Sequence, residues 1–285
     1  MTAPLLIDDL AALQDGYDAI LCDIWGVIHD GGRAYPAAAA ALRRFRAAGK
    51  AVVLVSNVPK PAAPIYDQLD ERGFPRDAYD AIVTSGDAIR AELAARAPGP
   101  VFKIGTPRYD DVLWEGLGLE DAPLERAAFL GVSGLRDPEN ETPETYAPVL
   151  AAARARDLDF LCANPDIVVR VGKRLIWCAG ALARDYEALG GRVVMAGKPH
   201  APVYALAHQE LAQIMGRPVP KDRILAIGDG PATDLAGANR EGLDALYIGG
   251  GVTTDALRAG FTAEAVGAAL AEAGVFTRYA MRDLR

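Results

Sequence analysis

Short, uninterrupted apolar runs alternate along this chain with longer stretches whose apolar residues recur every three or four positions. Runs of the first kind, Ala19–Asp23, Ala51–Ser56 and 82–84, read as strands, and stretches of the second kind, 37–48, 62–72 and 88–95, read as helices. Strands that are apolar throughout, rather than at alternate positions, belong to a sheet covered on both faces. Their alternation with helices makes that sheet parallel. The same rhythm returns near the end of the chain, with strands at 193–196, Ile224–Gly228 and 245–248 and helices at 202–215, 234–241 and 263–273. Between the two halves the pattern loosens. Short strands at 101–104, 128–130 and 160–162, helices at 144–156 and 177–189, and a basic stretch at 170–174 are separated by polar and Pro-bearing connections at 97–100 and 136–143. The expected fold is α/β: a doubly wound, parallel-sheet, Rossmann-like core from residues 1–80 and 190–285, with an inserted α/β domain at 81–189, an ordinary domain size.

Composition narrows the function classes. Half of the 285 residues are hydrophobic (51%), enough for a sizeable core, and 30 basic against 38 acidic residues leave a net charge of −8. No Lys/Arg-dense run accompanies that balance, so no nucleic-acid partner is expected. No window is apolar for long enough to cross a bilayer, and the first ten residues, interrupted by Asp8 and Asp9, do not read as a secretory signal. Cys22, Cys162 and Cys178 lie within apolar segments at no metal-ligand spacing, which predicts buried thiols in a reducing compartment, the cytoplasm.

Ligands of a doubly wound sheet bind at the carboxyl ends of its strands. Asp23-Ile24-Trp25 closes the first strand, Ser56-Asn57 the second, Gly197-Lys198 the one at 193–196, and Gly228-Asp229 with Asp234 the one at Ile224–Gly228. Three carboxylates converging on one edge repel and need a cation to stay ionised together. All-oxygen ligands select a hard ion such as Mg²⁺. Ser56, Asn57 and the backbone N–H groups after them can hold phosphate oxygens, and Lys198 adds a compact positive charge. A carboxylate beside a metal, a lysine and phosphate donors is what in-line phosphoryl transfer to aspartate requires. Each piece alone is ordinary, since Asp after a strand commonly caps a helix and Gly-Asp-Gly commonly turns the chain.

Together the four segments resemble the motifs of the haloacid dehalogenase-like superfamily, with Asp23 in the first, Ser56 in the second, Lys198 in the third, and Asp229 with Asp234 in the fourth. The insertion resembles the large α/β cap of subfamily IIA, whose members include p-nitrophenylphosphatase-like and nucleotide-phosphatase-like enzymes. Thr84-Ser85-Gly86, Asn164-Pro165-Asp166 and Cys178-Ala179-Gly180 are similar to segments bordering and inside that cap. The resemblance implies a phosphoaspartyl intermediate on Asp23 and Mg²⁺ held by the Asp23 carboxylate, the Trp25 carbonyl and Asp229, with Asp234 as ligand or support. It also implies a small phosphorylated substrate and a homodimer paired through the cap.

One position departs from that pattern. Phosphatases of the superfamily carry an acid two residues after the nucleophile, where it shuttles the proton; here that residue is Trp25. An indole can donate a hydrogen bond but cannot transfer protons in this range. Loss of such a group removes ~10²–10⁴-fold of rate. Three readings stay open: a phosphatase with a substitute acid (His29, Asp30 or His200) or an undemanding leaving group; a protein that binds phosphorylated metabolites without turnover; and a phosphonate or carbon–halogen hydrolase. The halide reading is the weakest, because the dehalogenases dispense with metal and Asp229 and Asp234 are both retained here. In the insertion, Arg170, Lys173 and Arg174 are expected to form a basic cluster that meets a polar or anionic part of the substrate. Gly249-Gly250-Gly251 follows a late strand, where a dinucleotide fingerprint would not sit, and reads as a loop.

Overall fold

The computed structural model describes residues 3–171, 174–251 and 260–285, so Lys173 lies outside the described residues. The chain divides into two units. The first takes Met1–Ser56, Ile65–Val83 and Tyr204–Arg285, and the second takes Asn57–Pro64 and Thr84–Val203.

The first unit is built on a seven-stranded sheet in the order Leu5–Leu6, Tyr279–Met281, Asp244–Ile248, Ile224–Gly228, Ala19–Asp23, Ala51–Ser56, Ala81–Thr84. Every pairing from Leu5–Leu6 to Ala51–Ser56 is parallel. Ala19–Asp23, Ala51–Ser56 and Ile224–Gly228 are buried at every position, as their unbroken apolar sequence requires. Helix Pro36–Ala47 begins with proline at its first turn, where a missing N–H costs nothing. Its Arg46 ion-pairs with Asp80, and the other oxygen of Asp80 accepts the Val52 N–H at 2.8 Å, so one carboxylate fastens helix to sheet.

Strand order sets the place of the site. From Ala19–Asp23 the chain adds strands on one side, and from Ile224–Gly228 it adds them on the other. These two neighbours are the point where the winding reverses, and a crevice opens there at their carboxyl ends. Their register sets Ile227 beside Cys22, so Asp23 and Asp229 leave the sheet at the same edge. The edge pair of Leu5–Leu6 and Tyr279–Met281 was not foreseen, because two- and three-residue strands leave no readable period.

The second unit carries a parallel four-stranded sheet ordered Arg192–Met195, Asp159–Cys162, Phe129–Val132, Val101–Ile104. Its core gathers Leu130, Leu150, Phe160, Leu182 and Tyr186, with helices Ala147–Ala155 and Ala179–Ala188 contributing their buried faces. Its limits differ from the 81–189 expected. It runs on to Val203 and takes in Asn57–Pro64, because that loop is bonded to helix Ser85–Ala94. Thr84 Oγ1 donates to the Lys60 carbonyl at 2.5 Å, and the Gly86 N–H donates to the Val58 carbonyl at 3.1 Å. A Cβ on Gly86 would lie 2.5 Å from the Lys60 nitrogen, which explains the glycine of Thr84-Ser85-Gly86 as a packing need.

Residues read from sequence as a basic stretch and the start of a helix form an antiparallel hairpin, Val168–Val171 with Arg174–Trp177, and the helix begins at Ala179. The β-branched Val168, Val169, Val171 and Ile176 favour that outcome. All three cysteines are buried free thiols, and burial pushes Cys162 up to about 12, which leaves it unreactive. Among the described residues no helix is long and apolar enough to cross a membrane.

Candidate active site

At the reversal point of the first unit, Asp23, Asp229 and Asp234 each offer an oxygen, and the three lie within 4.8 Å of one another with all three residues buried. Asp23 ends its strand. Asp229 follows Ile224–Gly228, and Asp234 sits on the π-helical turn Pro231–Leu235. That turn brings the Asp234 carboxylate back, where its Oδ2 accepts the Gly230 N–H at 3.0 Å. Single π-turns of this kind concentrate at functional sites, where they re-aim a side chain.

Glycines shape the space around Asp229. Gly26, at φ +87°, passes so close that a Cβ there would lie 2.7 Å from the Asp229 carboxyl carbon, and one at Gly251 would lie 2.6 Å from its Cβ. The sequence reading missed both. Gly26 was legible only as part of a motif, and Gly251 only as a loop.

Like charges this close are costly. At the ~4.8 Å limit and an effective dielectric of ~20, each ionised pair repels by about 3.5 kcal/mol. The field reaches further: burial and then Asp229 push Tyr247 up to about 12, and burial, Asp30, Asp283 and Asp229 together raise Tyr35. A divalent cation offsets such repulsion, and an all-oxygen cradle that excludes even a methyl group at Gly26 and Gly251 fits a small hard ion.

Trp25 is half-buried and packs edge-on against His29, with ring centroids 5.2 Å apart. A Cβ on Gly31 would stand 2.6 Å from the indole ring, so Gly31 is the floor on which Trp25 rests. His29 is 4% exposed, and its Nδ1 accepts the Gly31 N–H at 2.9 Å. Burial, helped by Arg72, lowers its pKa to about 4, so the imidazole is neutral at pH 7 with its proton on Nε2. Asp30 is exposed and its Oδ1 accepts the Gly32 N–H at 3.1 Å, the geometry of a local turn. Ser56 is buried at the end of its strand.

Asn57, Lys198 and His200 belong to the second unit. The Asn57 side chain is committed there: its Oδ1 accepts the Lys198 N–H at 2.7 Å, and its Nδ2 donates to the Lys198 carbonyl at 3.0 Å and to Asp166 at 2.8 Å. It holds the backbone that carries Lys198, so any phosphate contact from Asn57 falls to its main chain. A Cβ on Gly197 would lie 2.6 Å from Asn57 Oδ1, and one on Gly180 2.6 Å from the Pro165 carbonyl carbon. Asn164-Pro165-Asp166 and Cys178-Ala179-Gly180 are therefore close-packed backbone. His200 N–H donates to the Gly197 carbonyl at 2.8 Å, a turn contact.

The hairpin register corrects the expected basic cluster. Arg170 pairs with Leu175 and Arg174 with Val171, which sends the two arginines to opposite faces. Arg174 is exposed and ion-pairs with Glu139 at 3.3 Å.

A family model described as haloacid dehalogenase-like hydrolase matches residues 20–120, and a second, of HAD-hydrolase-like proteins, matches 195–273. A solved hydrolase of the haloacid dehalogenase-like family from Brucella suis is 43% identical, with 98% of this chain and 100% of that chain covered at a TM-score of 0.88. Chronophin of Rattus norvegicus is 28% identical over 272 residues, covering 86% of this chain and 81% of that protein. A structure from Cytophaga hutchinsonii described as a "possible sugar phosphatase" shares the fold, with a TM-score of 0.80 at 20% identity and 98% of each chain covered. The chain belongs to the haloacid dehalogenase-like hydrolases. Within them, an α/β second unit, Thr84–Val203, that overlaps the end of the first matched region and the start of the second, together with the likeness to chronophin, supports subfamily IIA.

Proposed function

We propose that the protein is a Mg²⁺-dependent phosphatase of a small phosphorylated metabolite, with Asp23 as nucleophile. The buried gathering of Asp23, Asp229 and Asp234 at the reversal of strand order carries the reading. In this account one Asp23 oxygen attacks phosphorus as the P–O bond to the substrate's alcohol oxygen breaks and the alcohol leaves, and water then cleaves the phosphoaspartyl intermediate to free Asp23 and inorganic phosphate. Asp23, the Trp25 carbonyl and Asp229 would hold Mg²⁺, with Asp234 as ligand or support. When bound, the ion neutralises charge on the carboxylates and on the transferring phosphoryl group. Ser56, the Asn57 main chain and Lys198 are assigned to phosphate by their motif order. The second unit (residues 81–189 in the sequence reading) is the substrate-selecting cap, Arg170 and Arg174 its candidate substrate contacts, and pairing through the cap and a cytoplasmic location belong to the same proposal. Phosphatase names among proteins of this fold agree with the reading.

Trp25 shapes the expected reactivity. With no carboxylic acid at that position and His29 neutral, a leaving group that needs protonation departs slowly, whereas an aryl oxide leaves unaided. The packing of Trp25 onto His29 and Gly31 favours, as a second reading, a protein that binds phosphorylated metabolites without turnover. p-Nitrophenyl phosphate separates the two. The phosphatase reading expects release of nitrophenolate that requires Mg²⁺, stops with EDTA and is absent in Asp23→Asn. No release, with phosphate-analogue binding retained, favours the binding reading. Halide release without metal from a haloacid would replace both.

A further inference from the structure

Asn164-Pro165-Asp166 and Cys178-Ala179-Gly180 carry none of the assigned chemistry, yet both are built around one acidic residue. The Asp166 N–H donates to Asn164 Oδ1 at 3.0 Å, and the Asp166 carbonyl accepts the Gly180 N–H at 3.1 Å. One residue further on, the Ile167 carbonyl accepts the Cys178 N–H at 3.0 Å and closes the base of the hairpin. A Cβ on Gly180 would lie 2.5 Å from the Asp166 carbonyl oxygen, so only glycine lets the helix Ala179–Ala188 start this close. Asp166 is thus mounted on main chain held from both sides.

Its side chain reaches Asn57. Asn57 Nδ2 donates to Asp166 Oδ1 at 2.8 Å and to the Lys198 carbonyl at 3.0 Å, while Asn57 Oδ1 accepts the Lys198 N–H at 2.7 Å. A side-chain amide has one accepting and one donating end, and an ionised carboxylate only accepts. Asp166 therefore favours the one orientation of the amide in which Oδ1 faces the Lys198 N–H. Asn57 and Lys198 are both 4% exposed, so water is a poor substitute for any of these partners.

A lysine needs such help. Its ammonium rides on a flexible four-carbon stem, so a shift of the main chain is passed on to the charge. A misplacement of about 1 Å costs up to ~10²-fold in rate.

We propose that Asp166 is a positioning residue: through the Asn57 amide it holds the main chain of Lys198 and so fixes where that lysine delivers its charge. The inference rests on the assignment of Lys198 to phosphate. It adds a tie between Lys198 and the base of the hairpin that carries Arg170.

Two readouts test it, and one is independent of turnover. The chain has six lysines, so protein labelled with ¹⁵N-lysine gives six backbone N–H signals, and Lys198→Arg identifies the one that matters. The Lys198 N–H should exchange with deuterium slowly in the wild type and about tenfold faster or more in Asp166→Ala. Asp166→Asn, whose amide oxygen still accepts from Asn57, should exchange near the wild-type rate. Turnover of p-nitrophenyl phosphate should fall ~10- to 100-fold in Asp166→Ala and largely return in Asp166→Asn. Asn57→Ala should lose at least as much, and adding Asp166→Ala to it should change nothing further. Should Asp166→Ala fail to fold, Asp166→Ser, whose hydroxyl falls short of Asn57, carries the same measurements. The proposal is overturned if Lys198 exchange is unchanged in Asp166→Ala, if Asp166→Asn exchanges as fast as Asp166→Ala, or if the losses multiply in the double variant. A wild-type protein without turnover overturns the phosphatase reading alone, and the exchange rates then decide this one.

Discussion

Replacing Gly26 with alanine isolates the link between backbone shape and metal affinity. Gly26 sits at φ +87°, where a Cβ costs about 1–2 kcal/mol. That Cβ would also lie 2.7 Å from the Asp229 carboxyl carbon, against an ordinary carbon–carbon contact of ~3.5–4.0 Å, so the carboxylate must move by about 1 Å. Metal–ligand distances tolerate only about 0.2 Å. Disturbing groups that merely orient a ligand weakens metal binding ~10–100-fold, so displacing the ligand itself should cost at least that. Gly49 is the control, since it has φ +78° and nothing within 4 Å of an added Cβ. Gly49→Ala should share the backbone strain and keep Mg²⁺ affinity. Urea denaturation measures the strain in both variants, and calorimetric titration with Mg²⁺ measures the affinity. A folded Gly26→Ala protein that binds Mg²⁺ as the wild type does would refute the reasoning, as would equal loss in Gly49→Ala.

Three further outcomes follow from the same geometry. His29 has a folded pKa of about 4 against ~6.5 unfolded, so the unfolded chain takes up the proton first as pH falls. Stability is full above pH 6.5 and declines towards pH 4, by about 2 kcal/mol at pH 5; His29→Asn should lack that component in urea melts compared at pH 8 and pH 5. The Tyr17 hydroxyl donates to Asp244 at 2.6 Å from a buried ring, so Tyr17→Phe should lower unfolding free energy by about 1.5–3 kcal/mol, and an unchanged urea midpoint would contradict it. Trp25→Asp restores a proton carrier two residues past Asp23 and should raise turnover of alkyl phosphates ~10²-fold or more while changing aryl phosphate turnover little. Equal effects on both substrate types would remove the leaving-group explanation.

What the sequence shows of this site follows from sheet physics. A strand apolar at every position is buried on both faces, so the first polar residue after it marks the carboxyl edge; Asp23, Ser56 and Asp229 were legible for that reason. Asp234 was legible only through its motif, because the π-turn that returns it to Gly230 has no period to read. The roles of Gly26 and Gly251 were hidden, since a glycine required by a distant carboxylate looks like any loop glycine. Arg170 and Arg174 misled in the other direction. Four residues apart they suggest one patch, but the strand register sets them on opposite faces. Asp166 gave no sign of its reach to Asn57, because the two lie 109 positions apart and meet only in the fold.

The claim on which the rest depends is that Asp23 and Asp229, with Asp234 beside them, gather around one divalent ion. An anomalous difference map from crystals grown with Mn²⁺ in place of Mg²⁺ addresses it directly. The account predicts one strong peak per chain, about 2.0–2.5 Å from oxygens of Asp23, Asp229 and the Trp25 carbonyl. A map without density among the three carboxylates, from crystals saturated with the ion, would contradict it.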